Sequence, residues 1–300
     1  MGPRGLNKFF KETNPNGISE VNLFTLMGKT VVIDTSIYLY RYNSNNELFE
    51  NFYSMLTLFK LNKITPLFIF DGKPPPEKYD KLNERKIERQ NAENIYNLIM
   101  EDSTKKISKK ELEILKRKKT HISQNNIRSL KKFLDYFGVM YDDAEGEADQ
   151  LCASYVINGK AWACLSDDMD LFVYGCPRIL RYFSILNESV VLYDNEKILK
   201  FYNISQNNFK RICIISGTDY NERILSIEVS FNIYLKDIEN FTKNIISRIG
   251  NDNYNKIRTI EEVYDTSNKY FKLLENIKYT KQNKQELMMF LKKYDFVFIN

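Results

Sequence analysis

With 300 residues, 43% hydrophobic and 28% charged, the chain is long enough to bury a sizeable core and too apolar to be disordered. Its 44 lysines and arginines exceed its 39 acids by only five, so any argument for a nucleic-acid partner must come from where the charges lie. No stretch is apolar over enough residues to span a membrane, the N-terminus lacks the apolar core of a signal peptide, and Cys152, Cys164, Cys176 and Cys213 form no metal-binding or redox pattern, which points to an intracellular protein with reduced thiols. The single histidine, His121, sits in a basic region, which weakens any histidine-based mechanism.

The opening, Met1-Gly2-Pro3-Arg4-Gly5-Leu6, leads into a short helix through Phe10. Lys29 to Asp34 (KTVVID) reads as a β-branched strand ending in an acid. From Asn46 to Asn62, Leu48, Phe49, Phe52, Leu56 and Phe59 fall at helical spacing, which predicts a helix covering a sheet. A second strand, Thr65 to Phe70, ends in Asp71, and Gly72-Lys73-Pro74-Pro75-Pro76 then breaks regular structure. Two strands flanking a helix predict a right-handed βαβ unit and a parallel sheet.

Beyond Glu77 the composition turns polar. A long helix to about Met100 and a break near Asp102-Ser103 precede a basic helix with Lys105, Lys106, Lys109, Lys110, Lys116, Arg117, Lys118 and Lys119. Such a segment is either a solvated insertion or a phosphate-facing arm. Ser123 to Phe137 is a packed helix stopped by Gly138. Ala144 to Asn158 is the next, with Glu145 and Glu147 expected in its first turn. The apolar run Ala161 to Leu165 is a third strand, and Ser166-Asp167-Asp168-Met169-Asp170 crowds three carboxylates at its end. Ile179 to Phe183 and Val190 to Tyr193 form a strand pair. Gln206 to Ile215 is an amphipathic helix capped by Ser205, followed by Ser216-Gly217-Thr218-Asp219-Tyr220; the remainder reads as mostly helical.

Asp34, Asp71, Glu145, Glu147, Asp168, Asp170 and Asp219 therefore gather where ligands sit in open α/β sheets, beyond the carboxyl ends of the strands. The Ser166–Asp170 stretch taken alone is equally explained as an acidic turn capping the next helix, and one apolar run ending in an acid is commonplace. Together the acids repel unless a cation neutralises them. Oxygen-only donors favour Mg²⁺ or Mn²⁺. Two such ions, roughly 3.5–4 Å apart, hydrolyse phosphodiesters; a purely structural ion is the alternative.

The segments MGPRGLNKFF, VVIDTSIYLYRY, FIFDGKPPPEK, EGEADQLCASY, SDDMDLFVYG and CIISGTDY, in that order from Met1 to about Tyr220, closely resemble the flap endonuclease family of structure-specific 5′ nucleases. The resemblance implies an α/β nuclease core over residues 1–220, with a mainly parallel central sheet flanked by helices. It also implies a basic helical cap and gateway over 77–120, and a helical duplex-binding region over 221–300. Two Mg²⁺ ions are implied, with Mn²⁺ able to substitute. Asp34, Asp71, Glu145 and Glu147 match acids around the first, and Glu147, Asp168, Asp170 and Asp219 match those around the second. Lys78 and Arg85 match two catalytic cations of the gateway helix, two turns apart on one face; solvated helix charges are the plain alternative. Gly2 matches a glycine whose backbone approaches the reacting strand. Tyr40 matches an aromatic that stacks on a terminal base, against ordinary core packing. Lys105, Lys106, Lys109 and Lys110 match the cap over a threaded single strand.

The implied substrates are DNA with 5′ flaps, nicks or junctions, cut by a flap endonuclease and 5′-3′ exonuclease type of enzyme in replication, repair or recombination. The chain is expected to act as a monomer in the nucleus, or at a cytoplasmic replication site if it is viral. An RNA-directed nuclease of the same fold is one alternative. A non-catalytic nucleic-acid-binding scaffold is another, but it would be expected to have lost some of the acids. Two departures stand out. No glycine occurs between Tyr220 and Arg248, where the family carries a glycine hairpin that grips duplex through a monovalent cation. The sequence also ends in YDFVFIN, with no recognisable sliding-clamp-binding tail, and Leu287, Met288, Met289 and Phe290 read as core-facing helix residues.

Overall fold

A computed structural model describes residues 2–101, 107–266, 272–294 and 296; Lys105 and Lys106 lie outside them. Among the described residues, seven strands share one sheet: β1 (Ile18–Asn22), β2 (Thr30–Asp34), β3 (Thr65–Phe70), β4 (Met140–Asp143), β5 (Ala163–Leu165), β6 (Arg178–Ser184) and β7 (Ser189–Asp194). Their order is β1-β7-β6-β5-β2-β3-β4. The four pairings from β6 through β5, β2 and β3 to β4 are parallel, and β1 and β7 close one side antiparallel.

Burial explains which strands were visible in the sequence. In β2 and β3 every residue after the first is buried, as a parallel strand covered on both faces requires. The overlooked β1 has no buried residue, and β4 (MYDD) has none either and carries two acids. Both are edge strands whose sequences lack a hydrophobic signal.

The sheet separates two apolar layers. Val31, Ile33 and Phe68 face α3 (Leu48–Leu61) and α6 (Gln124–Phe137); Val32, Leu67 and Ile69 face α1 (Leu6–Thr13), α7 (Ala148–Ile157) and α10 (Gln206–Ile215). Phe52, Leu56 and Phe133 are fully buried in the first layer, each burial contributing roughly 1.5–3 kcal/mol. Helices α11 (Ile227–Lys236), α12 (Phe241–Ile249) and α13 (Asn251–Val263) extend the second layer. The last helix, α14 (Lys284–Lys292), instead packs on α6, burying Leu287, Phe290 and Leu291. Met288 and Met289 point outward, correcting the expectation that both face the core. At about 100° per residue, four consecutive side chains cannot share one face.

The polar segment becomes α4 (Tyr79–Glu101) and α5 (Lys109–Lys119), which pack on each other. Ser108 and Glu111 form a reciprocal cap at the start of α5, and Lys119 Nζ lies 3.9 Å from the centre of the Tyr96 ring. No helix among the described residues is long and apolar enough to cross a membrane.

Candidate active site

Register sets the geometry. Asp34 at the end of β2 stands opposite Ile69 of β3, and Ile33 stands opposite Leu165 of β5. The next residues along, Asp71 on one side and Ser166 to Asp168 on the other, therefore emerge at the same edge. They open on a cavity of about 440 Å³ whose acids are Asp34, Asp71, Glu147, Asp149, Asp167, Asp168 and Asp219; Asp167 is bonded to Arg41.

Most of these acids are fixed by donors. Asp34 Oδ1 accepts from the Ser36 amide at 3.2 Å, and its Oδ2 from Ser166 Oγ at 2.9 Å. Burial, then the charges of Asp71 and Asp168, still push the Asp34 carboxyl up to about 8. Asp71 accepts from Ser36 Oγ and, at 2.8 Å, from the Ala148 amide. That last bond makes Asp71 a cap for α7 across the sheet edge.

Helix α7 consequently starts at Ala148. Glu147 occupies its N-cap position without capping it through its own side chain, and Glu145 lies in the preceding turn. The expectation that both belong to the first helical turn is corrected. The turn is held by the Gly72 amide donating to the Gly146 carbonyl at 2.7 Å and the Lys73 amide donating to that of Glu145 at 3.1 Å. A Cβ on Gly72 would lie 2.0 Å from the Ala144 carbonyl oxygen, so only glycine fits. The Glu145 side chain is exposed and does not line the cavity.

Asp168 Oδ1 accepts from the Asp170 amide at 3.0 Å. Asp170 opens the short helix α8 (Asp170–Val173) and accepts from the buried Tyr264 hydroxyl at 2.9 Å. Burial, then Asp168 and Asp219, push its carboxyl well above the usual range. Gly2 has φ +90°, and a Cβ there would meet the Asp170 amide nitrogen at 2.7 Å, so the N-terminus passes directly over this acid.

Lys78 and Arg85 stand among the acids. Buried Lys78 bonds to Glu147 and lies 3.6 Å from Asp219, while Arg85 Nη2 lies 2.6 Å from Asp219 Oδ2. Burial alone would lower the Lys78 ammonium pKa, but Asp149, Glu147 and Asp219 outweigh it and raise it. Tyr220 donates to the other Glu147 oxygen. Tyr40 is half-exposed on the cavity wall rather than packed in the core. Lys109 and Lys110 are exposed and do not line the cavity.

Two residues near the acids escaped sequence reasoning. Asp149 continues a Glu-x-Glu-x-Asp spacing and was legible in principle. Tyr264 carried no signal, being one of 20 tyrosines and 94 positions from the aspartate it contacts. Oxygens of Asp149, Asp168 and Asp170 lie within 4.8 Å of one another. Oxygen-only donors crowded at this spacing around a buried ammonium suit hard divalent cations.

The raised carboxyls have a consequence for stability. Their contribution is present below the ordinary value of 3.8 and is lost as pH rises to about 8 for Asp34, with Asp149 and Asp170 shifted in the same direction. Metal-free protein should therefore melt at a lower temperature near pH 8.5 than near pH 5.5. Mg²⁺ should raise the melting temperature more at the higher pH, by on the order of 5 °C. Melts in EDTA and in Mg²⁺ at both pH values check this, and a metal-free Tm that rises with pH would contradict it.

Residues 1–92 match the XPG N-terminal domain, and residues 138–219 match the XPG I-region. Flap endonuclease 1 of Drosophila yakuba is 30% identical over 270 residues, covering 82% of this chain and 68% of that protein. Flap endonuclease 1 of Meyerozyma guilliermondii is 30% identical over 251 residues, covering 76% of this chain, and the match spans only 65% of the length of that relative. The catalytic core of Rad2, solved in complex with DNA substrate, shares the fold at a TM-score of 0.73 and 20% identity, over 98% of this chain and 95% of the Rad2 chain.

Proposed function

The chain belongs to the XPG-like flap endonuclease family, and on that premise we propose that it is a divalent-metal-dependent, structure-specific 5′ nuclease acting on flapped, nicked or branched DNA. The observation that carries the proposal is the convergence of carboxylates from the ends of β2, β3 and β5, the start of α7 and the turn after α10 on one cavity that also holds Lys78 and Arg85, with Asp170 next to them behind Asp168. Asp34, Asp71, Glu147, Asp168, Asp170 and Asp219 would hold Mg²⁺, two ions in all, with Mn²⁺ as a substitute. Bound ions supply activation of water and neutralisation of charge on the phosphate.

The remaining work belongs to side chains. Lys78 and Arg85, which pair with Glu147 and Asp219, are the cations that would meet a scissile phosphate, and charge building on that phosphate would strengthen both contacts. Tyr40 offers an exposed ring on which a base at the duplex end stacks. Gly2 keeps the N-terminal backbone slim where the reacting strand passes Asp170.

Helices α4 and α5 form the cap, and Lys109 and Lys110, with Lys105 and Lys106, draw in the phosphates of the single strand. Replacing Lys109 and Lys110 by Ala should weaken binding and lower the salt dependence by roughly one to two in slope, with little change in single-turnover rate. Equilibrium binding between about 50 and 200 mM salt, measured in Ca²⁺, checks this. An unchanged slope would remove these lysines from the phosphate path.

Duplex is gripped differently from the glycine-hairpin relatives. The Ser226 side chain caps α11 by accepting from the Val229 amide at 3.3 Å, so an amide that a phosphate would need is already satisfied. Exchanging K⁺ for a non-coordinating monovalent cation at equal ionic strength should change duplex affinity less than about twofold. A strong K⁺-specific gain would show a backbone cation site near Asn221–Lys236 after all.

One panel tests the function as a whole: matched 5′-flap, nicked-duplex, four-way-junction and RNA substrates in Mg²⁺. The expected result is preferential cutting of 5′-flapped or branched DNA; preference for single-stranded RNA would move the enzyme to message decay.

A further inference from the structure

We propose that Asp149 is a metal ligand of this site, supplying the carboxylate that Glu145 withholds; the inference rests on the proposed divalent chemistry. Capping by Asp71 fixes the first helical residue of α7 at Ala148, which makes Asp149 the second. Side chains on a helix lean toward its N-terminus, so a residue at this position projects back toward the strand ends. Asp149 lines the cavity, whereas Glu145, four residues earlier, lies in the turn and faces solvent.

Three observations then converge. An oxygen of Asp149 lies within 4.8 Å of oxygens from both Asp168 and Asp170, a span that one ion with oxygen ligands at 2.0–2.6 Å bridges. Each of the six other acids named above accepts at least one hydrogen bond or ion pair, but among the described residues no group donates to the Asp149 carboxylate. A carboxylate held among carboxylates without a donor is unfavourable unless a cation compensates it. Moreover, a cation already stands in the cluster. The buried Lys78 ammonium is bonded to Glu147 and lies 3.6 Å from Asp219. The donor set therefore accepts positive charge, and Asp149, although it feels the Lys78 charge, is the one of these acids to which no described group donates a hydrogen bond.

A structural role and a ligand role predict opposite results on removing the charge. An acid that stabilises the fold would lower the metal-free melting temperature when changed to Asn. An acid on which repulsion from Asp168, Asp34 and Glu147 outweighs the attraction of Lys78 raises it, because a like charge disappears. The test uses the full chain stripped of metal, with Mn²⁺ as the probe, free Mn²⁺ read by electron paramagnetic resonance, and thermal melts run in parallel. Asp149→Asn should weaken the affinity for at least one Mn²⁺ by about tenfold or more while raising the metal-free Tm. Glu145→Gln should bind Mn²⁺ within about twofold of wild type, and Asp149→Glu, which restores charge, should recover part of the lost affinity. If Asp149→Asn binds as wild type does while Asp168→Asn loses Mn²⁺, the role given to Asp149 is wrong and the metal site stands. If wild type itself binds no Mn²⁺, the proposed divalent chemistry fails with it.

Discussion

Changing Asp168 to Asn is expected to slow single-turnover cleavage of a 5′-flap substrate by about a thousandfold or more while leaving substrate affinity in Ca²⁺ within a few-fold. The geometry separates charge from shape at this position. Asp168 Oδ1 accepts from the Asp170 amide at 3.0 Å, and the amide oxygen of Asn can accept the same bond. The loop therefore keeps its conformation, and what disappears is one negative charge in a cluster with Asp34, Asp149 and Asp170. A thousandfold loss corresponds to about 4 kcal/mol of transition-state stabilisation, a magnitude that impaired support of one ion accounts for. Turnover near the wild-type rate would remove Asp168 from the metal site.

The second large effect concerns the gateway. Lys78→Ala and Arg85→Ala should each lower the single-turnover rate by about a hundredfold to a thousandfold and change affinity by only a few-fold, because a cation meeting charge that builds on the phosphate favours the transition state selectively. The structure also distinguishes the two variants. Lys78 is buried and reaches both Glu147 and Asp219, whereas Arg85 is about one-third exposed and reaches only Asp219. Lys78→Ala should therefore destabilise the metal-free protein more than Arg85→Ala does, since it leaves Glu147 with no cation among the described residues and Asp219 with Arg85 alone. Rapid-quench rates, affinities in Ca²⁺ and melts in EDTA measure the three quantities. Equal losses of affinity and of rate in both variants would contradict a selective role.

The acids that were legible in the sequence are those that end apolar runs. Asp34, Asp71 and Asp168 each follow a segment that has to be a buried strand, and parallel neighbours place such ends together. Asp219 was legible for a similar reason, lying just beyond the buried C-terminal turn of α10. The Glu145-to-Asp149 segment was harder. Which of its acids face the cavity depends on where α7 begins, and that is decided by Asp71, a residue on another strand. The contact of Tyr264 with Asp170 belongs to the same class: it exists only because α13 docks beside α10, and no local pattern encodes it. Edge strands β1 and β4 lacked an apolar signal, and the outward-facing Met288 and Met289 show composition misleading where phase decides.

The central claim, that this acid-lined cavity cuts DNA at a 5′ branch with divalent metal, is tested most directly by mapping the product of one labelled substrate. A 5′-flap duplex labelled at either end of the flap strand, incubated with the full chain in Mg²⁺ and separately in EDTA, should be cut in Mg²⁺ alone. The cut should fall within a nucleotide or so of the junction and release the flap as a single fragment. An intact flap strand in both Mg²⁺ and Mn²⁺, with the protein folded and bound to the substrate, would contradict the account.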